Sequence, residues 1–243
     1  MFGFIKYIIR YARIFILHFQ NSYKPQIELS DNTVIIAPHP DDEVIGCAGL
    51  IQALAERGTP PHVIILTGGE GSHRGCCNTP EADIVSARHQ LTIKAAEILG
   101  LPQSHIHCLH YPDGAVDFAH SETEKLKELL EDLSPKALFL PHKGEGWNDH
   151  VRVAVIIKKL MKQHLVDIYE YCVWMWYYNV WNLDNKNARI LKMSATQHKR
   201  KLQAIEQYVK PSAPCGKPWS GVLPKAFLKA ARWNRELYFK IRV

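Results

Sequence analysis

Short apolar runs alternate with amphipathic segments along most of this chain. Five runs have the length and the β-branched or aromatic content of buried strands: 33–37, 62–66, 106–109, 137–140 and 167–176. Four segments with helical spacing follow the first four runs: 44–57, 83–99, 121–133 and 151–164. This regular alternation predicts an α/β fold, namely a three-layer, Rossmann-like, mostly parallel sheet with helices on both faces.

The first 20 residues follow a different pattern. Lys6, Arg10 and Arg13 share one helical face, and the opposite face is apolar, with Phe4, Ile5, Ile8, Ile9 and Ile16. Three cations argue against a membrane span, and a signal-peptide cleavage site is not evident. Two roles fit this amphipathic helix equally well. One is peripheral contact with a membrane surface, and the other is docking on its own domain or on a second subunit.

The chain therefore divides into an amphipathic helix at 1–22 and a single α/β domain at 30–243. The last part of that domain is irregular in sequence. A helix is predicted at 195–209, prolines at 211, 214 and 218 indicate an extended loop, and the tail mixes basic and aromatic residues. At 121–133, Ser121 and Glu124 predict a capping box.

Composition and charge narrow the class of protein. Apolar residues make up 47% of the chain and charged residues 22%, which is ordinary for a globular protein. A net charge of +6 fits an anionic partner, such as a membrane surface or a phosphorylated substrate. Because the chain has no long Lys/Arg run and no nucleic-acid-binding motif, we expect no nucleic acid partner. The sequence leaves the oligomeric state open, and an oligomer is compatible with it.

The six cysteines are irregularly spaced, and no Cys-x-x-Cys occurs. Neither a thiolate zinc site nor a redox dithiol is therefore expected. Cys76 and Cys77 are neighbours, and we interpret them as two loop thiols rather than as a reactive pair. This pattern fits a reducing compartment, so we predict a cytoplasmic protein, with the cytoplasmic membrane surface as an alternative location.

Two polar clusters follow predicted strands. His39, Asp41 and Asp42 come after the run at 33–37, and Asp149 and His150 lie beyond the run at 137–140. Since the carboxyl ends of parallel strands share one sheet edge, His39, Asp42 and His150 should lie within reach of one metal ion. Two histidines and one carboxylate leave an open position, as in catalytic zinc sites, and ferrous iron is the alternative metal. The competing interpretation is that the carboxylates at 41–43 only cap the following helix.

The segment 37–43, Ala-Pro-His-Pro-Asp-Asp-Glu, resembles the metal-binding motif of the PIG-L/LmbE-like zinc-dependent N-acetylglucosaminyl de-N-acetylases. Further similarities follow along the chain from about residue 33. They are Leu-Thr-Gly-Gly-Glu at 66–70, Arg88 with its helix, Tyr-Pro-Asp-Gly at 111–114, Asp149-His150 and, more loosely, 235–239. The first motif is the specific one, and the others are weak when taken alone.

The resemblance implies a zinc-dependent hydrolase that removes the acetyl group from an N-acetylated sugar or sugar conjugate. It assigns one zinc ion to His39, Asp42 and His150, makes Asp41 the general base and lets Arg88 contact substrate. We add Trp147 and Asp149 to the predicted substrate contacts. The basic charge and the N-terminal helix make a lipid- or phosphate-linked glycan intermediate one option for the substrate.

One position departs from the family pattern. The second motif of the family often begins with a histidine that serves as acid or oxyanion stabiliser, and here that position is Trp147. We predict His142 as the second catalytic residue, with His73, His110 and a protonated Asp41 as alternatives. Two other functions stay open: an amidase acting on another acylated amine, and a catalytically impaired, metal-binding scaffold at a membrane.

Overall fold

Seven strands form one sheet in the computed structural model of the chain, which describes residues 2–178 and 183–241. The strands are β1 (Thr33–Ala37), β2 (His62–Thr67), β3 (Ile106–Tyr111), β4 (Ala137–Pro141), β5 (Asp167–Tyr171), β6 (Ala188–Lys192) and β7 (Arg235–Ile241). Their order is β3-β2-β1-β4-β5-β7-β6. The first five strands are parallel, and β7 runs antiparallel to both of its neighbours. The predicted mostly parallel α/β fold is confirmed.

Helices cover both faces of this sheet. They are α1 (Phe2–Asn21), α2 (Asp42–Glu56), α3 (Glu81–Leu99), α4 (Glu122–Leu133), α5 (Asn148–Leu160), α6 (Ala195–Val209) and α7 (Lys225–Ala231). Ile35 and Ala37 of β1 pack in the core formed with α2, α3 and α6. Val34 and Ile36 pack on the other face against α4 and α5. Because both faces are buried, all five residues of β1 are buried and the four after Thr33 are apolar, as expected for a parallel strand.

The strand order of the sheet reverses between β1 and β4. β2 and β3 lie on one side of β1, and β4 and β5 lie on the other. In an open α/β sheet such a reversal opens a crevice at the carboxyl ends of the strands. The loops that follow β1 and β4 both end in this crevice, and they carry the two polar clusters that the sequence singled out.

Helix α1 docks on the rest of the chain through one face. Ile14 and Leu17 are buried with residues of α7, β6 and β7, and Arg10 donates to the Tyr177 hydroxyl at 2.9 Å. Arg13 is buried as well and donates to the Trp176 carbonyl. These two cations therefore face protein, whereas Ile5, Ile8, Ile9, Phe15, Ile16 and Phe19 are exposed. No helix within the described ranges is long and apolar enough to cross a bilayer.

One face of α1 thus docks on its own domain, as one of the two predicted roles required. Membrane contact through the exposed face stays a prediction. Phe4, which the sequence placed on the apolar face, lies outside the described side chains. The division of the chain into 1–22 and 30–243 also stays a prediction.

Three predicted features of secondary structure were wrong in detail. β5 ends at Tyr171 rather than at residue 176, because the buried Glu145 carboxylate accepts the Val173 and Trp174 backbone N–H groups and draws the chain out of the sheet. The side chain of Ser121 makes no cap hydrogen bond, and the capping box occurs instead at Ser194 and Gln197. The last part of the domain, predicted as irregular, holds β6, α7 and β7 in addition to the predicted helix.

Candidate active site

Three side chains from two strand ends meet in the crevice. The Nδ1 atom of His39 lies 3.2 Å from Oδ2 of Asp42 and 3.3 Å from Nε2 of His150. The same His150 nitrogen lies 3.3 Å from Oδ2 of Asp42. Ligand atoms bound at 2.0–2.1 Å to one tetrahedral ion are about 3.3 Å apart. The three donors are therefore spaced as a single metal ion requires.

The surroundings of His150 and Asp42 also fit a metal ion. His150 is fully buried, and its Nδ1 makes no hydrogen bond within the described residues, although the Glu145 carboxylate lies 3.4 Å away. Burial opposes ionisation of Asp42, but His150 and His39 outweigh it and lower the pKa of this carboxyl. Asp42 therefore stays ionised, which a metal ligand must be.

The other ring nitrogen of His39 is held by two carboxylates. Its Nε2 lies 3.1 Å from Oδ1 of Asp113 and 3.2 Å from Oδ2 of Asp149. A proton on Nε2 leaves the Nδ1 lone pair pointing at Asp42 and His150, and such carboxylate–histidine pairs orient metal ligands. Burial would lower the pKa of His39, but the hydrogen bonds to Asp113, Asp149 and Asp42 raise it well above its usual value. The same negative field attracts a divalent cation.

Asp149 is itself fixed by backbone groups. Its carboxylate accepts hydrogen bonds from the Gly114 N–H at 2.7 Å and the Val116 N–H at 3.1 Å, in the segment that follows β3. Asp149 was predicted to bind substrate, and it does border the cavity, but its oxygens are engaged with His39 and these amides. Asp113 received no role from the sequence, where the segment 111–114 was one of the weaker similarities to the family.

Asp41 has a strained backbone at the start of α2. Its φ is 122° and its ψ is −27°, a conformation that costs a non-glycine residue about 1–3 kcal/mol. Two contacts hold it there: its N–H donates to Glu43 at 2.9 Å, and Nη2 of Arg88 lies 3.3 Å from its carboxylate. Arg88 also donates to the carbonyl groups of Pro40 and Gly69. Such strain is common at active sites, where surrounding contacts maintain it.

Arg88 can approach this loop only because residue 69 is glycine. A Cβ atom at Gly69 would lie 2.1 Å from Nη1 of Arg88, and the backbone there has a φ of +67°. The predicted substrate contact through Arg88 is compatible with its place in the cavity wall. Most of its donors, however, are directed at protein oxygens.

The environment of Asp41 alters its proton affinity. Burial raises the pKa of this carboxyl well above its usual value, Arg88 opposes the rise, and the neighbouring Asp42 and Glu43 carboxylates add to it. A carboxylate with a raised pKa is a better proton acceptor, and it holds the proton long enough to pass it on. Asp41 therefore has the properties of a proton-transfer group.

A cavity of about 240 Å³ opens beside these residues. Polar side chains form one part of its lining, and an apolar and aromatic wall, contributed by helices and loops, forms the rest. That wall includes Ile45, Trp147, Trp174, Leu223 and Phe227. The rings of Trp147 and Trp174 have centroids 5.6 Å apart, so they form a continuous part of this lining.

A family model described as GlcNAc-PI de-N-acetylase, PIG-L, matches residues 34–161, which is more than half of the chain. The chain belongs to the PIG-L family. This match spans β1 to α5 and so contains both polar clusters of the crevice. No curated protein sequence matches the chain at a significant level.

Solved structures share the PIG-L fold of this chain. N,N'-diacetylchitobiose deacetylase from Pyrococcus horikoshii is 21% identical, with a TM-score of 0.58 over 72% of this chain and 68% of that chain. A deacetylase from the teicoplanin biosynthesis pathway, in complex with teicoplanin, is 14% identical, with a TM-score of 0.65 over 86% and 96%. The 4-carboxy-2-hydroxymuconate hydratase of Pseudomonas putida KT2440 is 19% identical, with a TM-score of 0.58 over 74% and 80%. Since a hydratase has the same fold, function has to be argued from the site.

The structure does not bring His142 to the other predicted site residues. In this PIG-L chain its Nδ1 accepts the Gly144 N–H at 2.9 Å, and its Nε2 lies 3.7 Å from the Glu170 carboxylate. Burial lowers the pKa of His142 to about 4, although Glu170 opposes the change. Neither His142 nor the alternatives His73 and His110 are among the cavity-lining residues, whose one histidine within the described chain is His39.

Trp147, the position where PIG-L proteins often carry a histidine, precedes the first residue of α5. It borders the cavity and remains 48% exposed, so its indole faces the space that a substrate would fill. Glu145, two residues earlier, belongs to none of the sequence motifs. A lone Glu in a Gly-rich loop gives no sign that it will be fully buried beside His150.

Proposed function

We propose that this protein is a zinc-dependent hydrolase that removes the acetyl group from an N-acetylated sugar or sugar conjugate. The observation that carries the proposal is the triangle of His39, Asp42 and His150 donors, spaced 3.2–3.3 Å apart with Asp41 beside it. Membership of the PIG-L family supports the reaction class, and the aromatic cavity wall supports a sugar substrate.

His39, Asp42 and His150 would hold the zinc ion. When bound, zinc polarises a carbonyl oxygen and lowers the pKa of a coordinated water to about 7 in favourable sites. Asp41 accepts the proton of the attacking water and delivers it to the departing sugar nitrogen. Arg88 keeps the Asp41 carboxylate directed into the cavity, and Asp149 and Asp113 hold His39 in the metal-binding tautomer.

This scheme assigns both proton transfers to Asp41. His142 makes its hydrogen bonds away from the cavity lining, and Trp147 has no titratable group to offer. The raised pKa of Asp41 lets one carboxyl serve as base in the first step and as acid in the second. The missing family histidine is therefore compatible with catalysis.

The aromatic wall favours a sugar ring. Trp147 and Trp174 offer apolar faces for stacking, and Arg74 at the rim, 66% exposed in its side chain, offers a cation for a phosphate or carboxylate on the conjugate. A phosphate-linked glycan intermediate is the finer form of the proposal. Contact of α1 with a membrane would place a lipid carrier near this enzyme.

The proposal is tested by incubating the zinc-loaded protein with a panel of N-acetylhexosamine conjugates and measuring the release of free amine. We expect release from at least one conjugate and its loss after treatment with a chelator. A second set of substrates consists of acylated amines that contain no sugar, and release from this set alone would favour the amidase. Absence of release across the panel with metal bound would favour the scaffold.

Replacement of Trp147 by Ala should raise KM for the sugar substrate by about 2- to 10-fold with little change in kcat. Aromatic contacts contribute about 0.5–1.5 kcal/mol beyond area burial, and this one is made in ground state and transition state alike. Steady-state kinetics measure the effect. Tyr23→Ala removes an exposed aromatic residue outside the cavity lining and should leave KM unchanged. A fall in kcat with unchanged KM would contradict the stacking role.

Replacement of Asp149 by Asn should weaken zinc binding at the crevice by about 10- to 100-fold, because an amide no longer fixes the His39 tautomer. Activity measured against free zinc concentration should shift to higher zinc and recover its plateau there. Asp117→Asn removes an exposed carboxylate outside the cavity lining and is the matched control. An unshifted zinc dependence, with a raised KM instead, would return Asp149 to the predicted role in substrate binding.

A further inference from the structure

A second group of metal-type ligands lies outside the crevice. The ligand atoms of His73, Cys76, Cys77 and Cys215 all lie within 4.8 Å of one another. Nδ1 of His73 is 3.6 Å from the Cys76 sulfur, 3.4 Å from the Cys77 sulfur and 3.5 Å from the Cys215 sulfur. The sulfurs of Cys76 and Cys215 are 4.0 Å apart.

These separations correspond to the edges of one coordination tetrahedron. With Zn–S bonds of 2.3 Å and a Zn–N bond of 2.0–2.1 Å, tetrahedral angles place two sulfurs about 3.8 Å apart and a sulfur and a nitrogen about 3.6 Å apart. A disulfide requires a separation of about 2.05 Å, so Cys76 and Cys215 are two separate thiols here. The cluster has the size of a metal site, not of an oxidised pair.

The orientation of His73 points to the same conclusion. Its Nε2 lies 3.0 Å from the Pro218 carbonyl oxygen, which can only accept a hydrogen bond, so the proton is on Nε2. The Nδ1 lone pair is then directed at the three sulfurs. A metal-binding histidine commonly donates its other N–H to a backbone carbonyl in this way. His73 is buried, so the backbone fixes its ring where the three thiols converge.

We propose that His73, Cys76, Cys77 and Cys215 bind a structural zinc ion. Three cysteines and one histidine fill all four positions, which is typical of structural rather than catalytic zinc. The ion would connect the loop after β2 to the loop after α6. The same loops are joined by a hydrogen bond from the Ser72 hydroxyl to the Trp219 carbonyl at 3.0 Å.

Both loops contribute to the cavity wall. Ser72 and Arg74 come from the first loop, and Ser220 and Leu223 come from the second. A zinc ion between them would fix the shape of that wall without touching the reacting atoms. No short cysteine motif such as Cys-x-x-Cys marks these ligands in the sequence, since they lie in two distant segments. Cys76 and Cys215 are 139 positions apart. Only the fold brings them together.

Cobalt substitution in the full-length protein, purified with a reductant, tests the proposal. Thiolate-bound cobalt has a strong sulfur-to-metal charge-transfer absorption in the near ultraviolet, and the His39, Asp42 and His150 site contains no sulfur to produce it. We expect this absorption in the wild-type protein and in His150→Ala. It should be lost or strongly reduced in Cys215→Ser and in Cys76→Ser.

Cys108→Ser is the matched control, since Cys108 is an exposed thiol outside the cluster. Wild type and Cys108→Ser should bind one more equivalent of zinc per chain than Cys215→Ser does. If the cluster variants fail to fold, thiol titration of wild type serves instead, and zinc should protect three cysteines from modification. Cobalt loading without a sulfur band, or a Cys76–Cys215 disulfide in place of bound metal, would overturn the proposal. Neither result would bear on deacetylation in the crevice.

Discussion

Replacement of Asp41 by Asn is expected to lower kcat/KM by about 10²- to 10⁴-fold while the protein keeps its crevice metal. Asparagine preserves the shape of the side chain and still contacts Arg88, but it can neither accept the water proton nor deliver a proton to the leaving nitrogen. The Asp41 carboxylate is not one of the three donors that meet at the metal position. Metal binding and catalysis should therefore separate in this variant.

Two measurements are needed together: turnover of the substrate found in the panel, and metal content by atomic emission. The isosteric change leaves the positive φ of residue 41 tolerable, because Asn adopts such conformations more readily than most residues. Asp117→Asn shows the effect of neutralising a carboxylate elsewhere. If Asp41→Asn kept activity within a few-fold of wild type, another group would be moving the proton, and His142 would have to be reconsidered.

The position of the metal triangle could be predicted because it depends on local patterns. An apolar run gives β1, a helical pattern gives α2, and parallel strands bring the loops at their carboxyl ends to one edge. These patterns were enough to predict that three side chains come together: His39, Asp42 and His150. The proton-transfer candidate Asp41 follows from its place beside Asp42, although its strained backbone appears only in the structure.

The contacts that the sequence could not predict are those that depend on the conformations of the loops around the site. Asp113 lies in the turn after β3 and Asp149 at the start of α5, and both meet His39 in the loop after β1. His142 directly follows β4 and was a reasonable candidate, but the Gly144 amide and Glu170 hold its ring elsewhere. Trp174 borders the cavity because its backbone N–H donates a hydrogen bond to the Glu145 carboxylate. No periodic pattern of residues in the sequence predicts such a contact.

Replacement of His150 by Ala should remove the crevice metal and with it the activity. Alanine deletes one of three donors from a fully buried position, and the two that remain, His39 and Asp42, cannot complete the site. Because a catalytic metal contributes several kcal/mol of transition-state stabilisation, we expect kcat/KM to fall by at least about 10³-fold. Metal content should fall by one equivalent per chain.

The response to added zinc distinguishes this variant from Asp149→Asn. Loss of a positioning carboxylate weakens zinc binding, and a higher zinc concentration overcomes it. Loss of a donor atom leaves an incomplete site that a higher zinc concentration does not restore. His164→Ala, an exposed histidine just beyond α5, is the matched control and should bind metal and turn over substrate as wild type does. Should His150→Ala retain its full metal content, the ion must be held by the other group of donors around His39, formed with Asp113 and Asp149. His39 would then bind through Nε2 rather than Nδ1, and Asp149 would be a ligand rather than the residue that orients one.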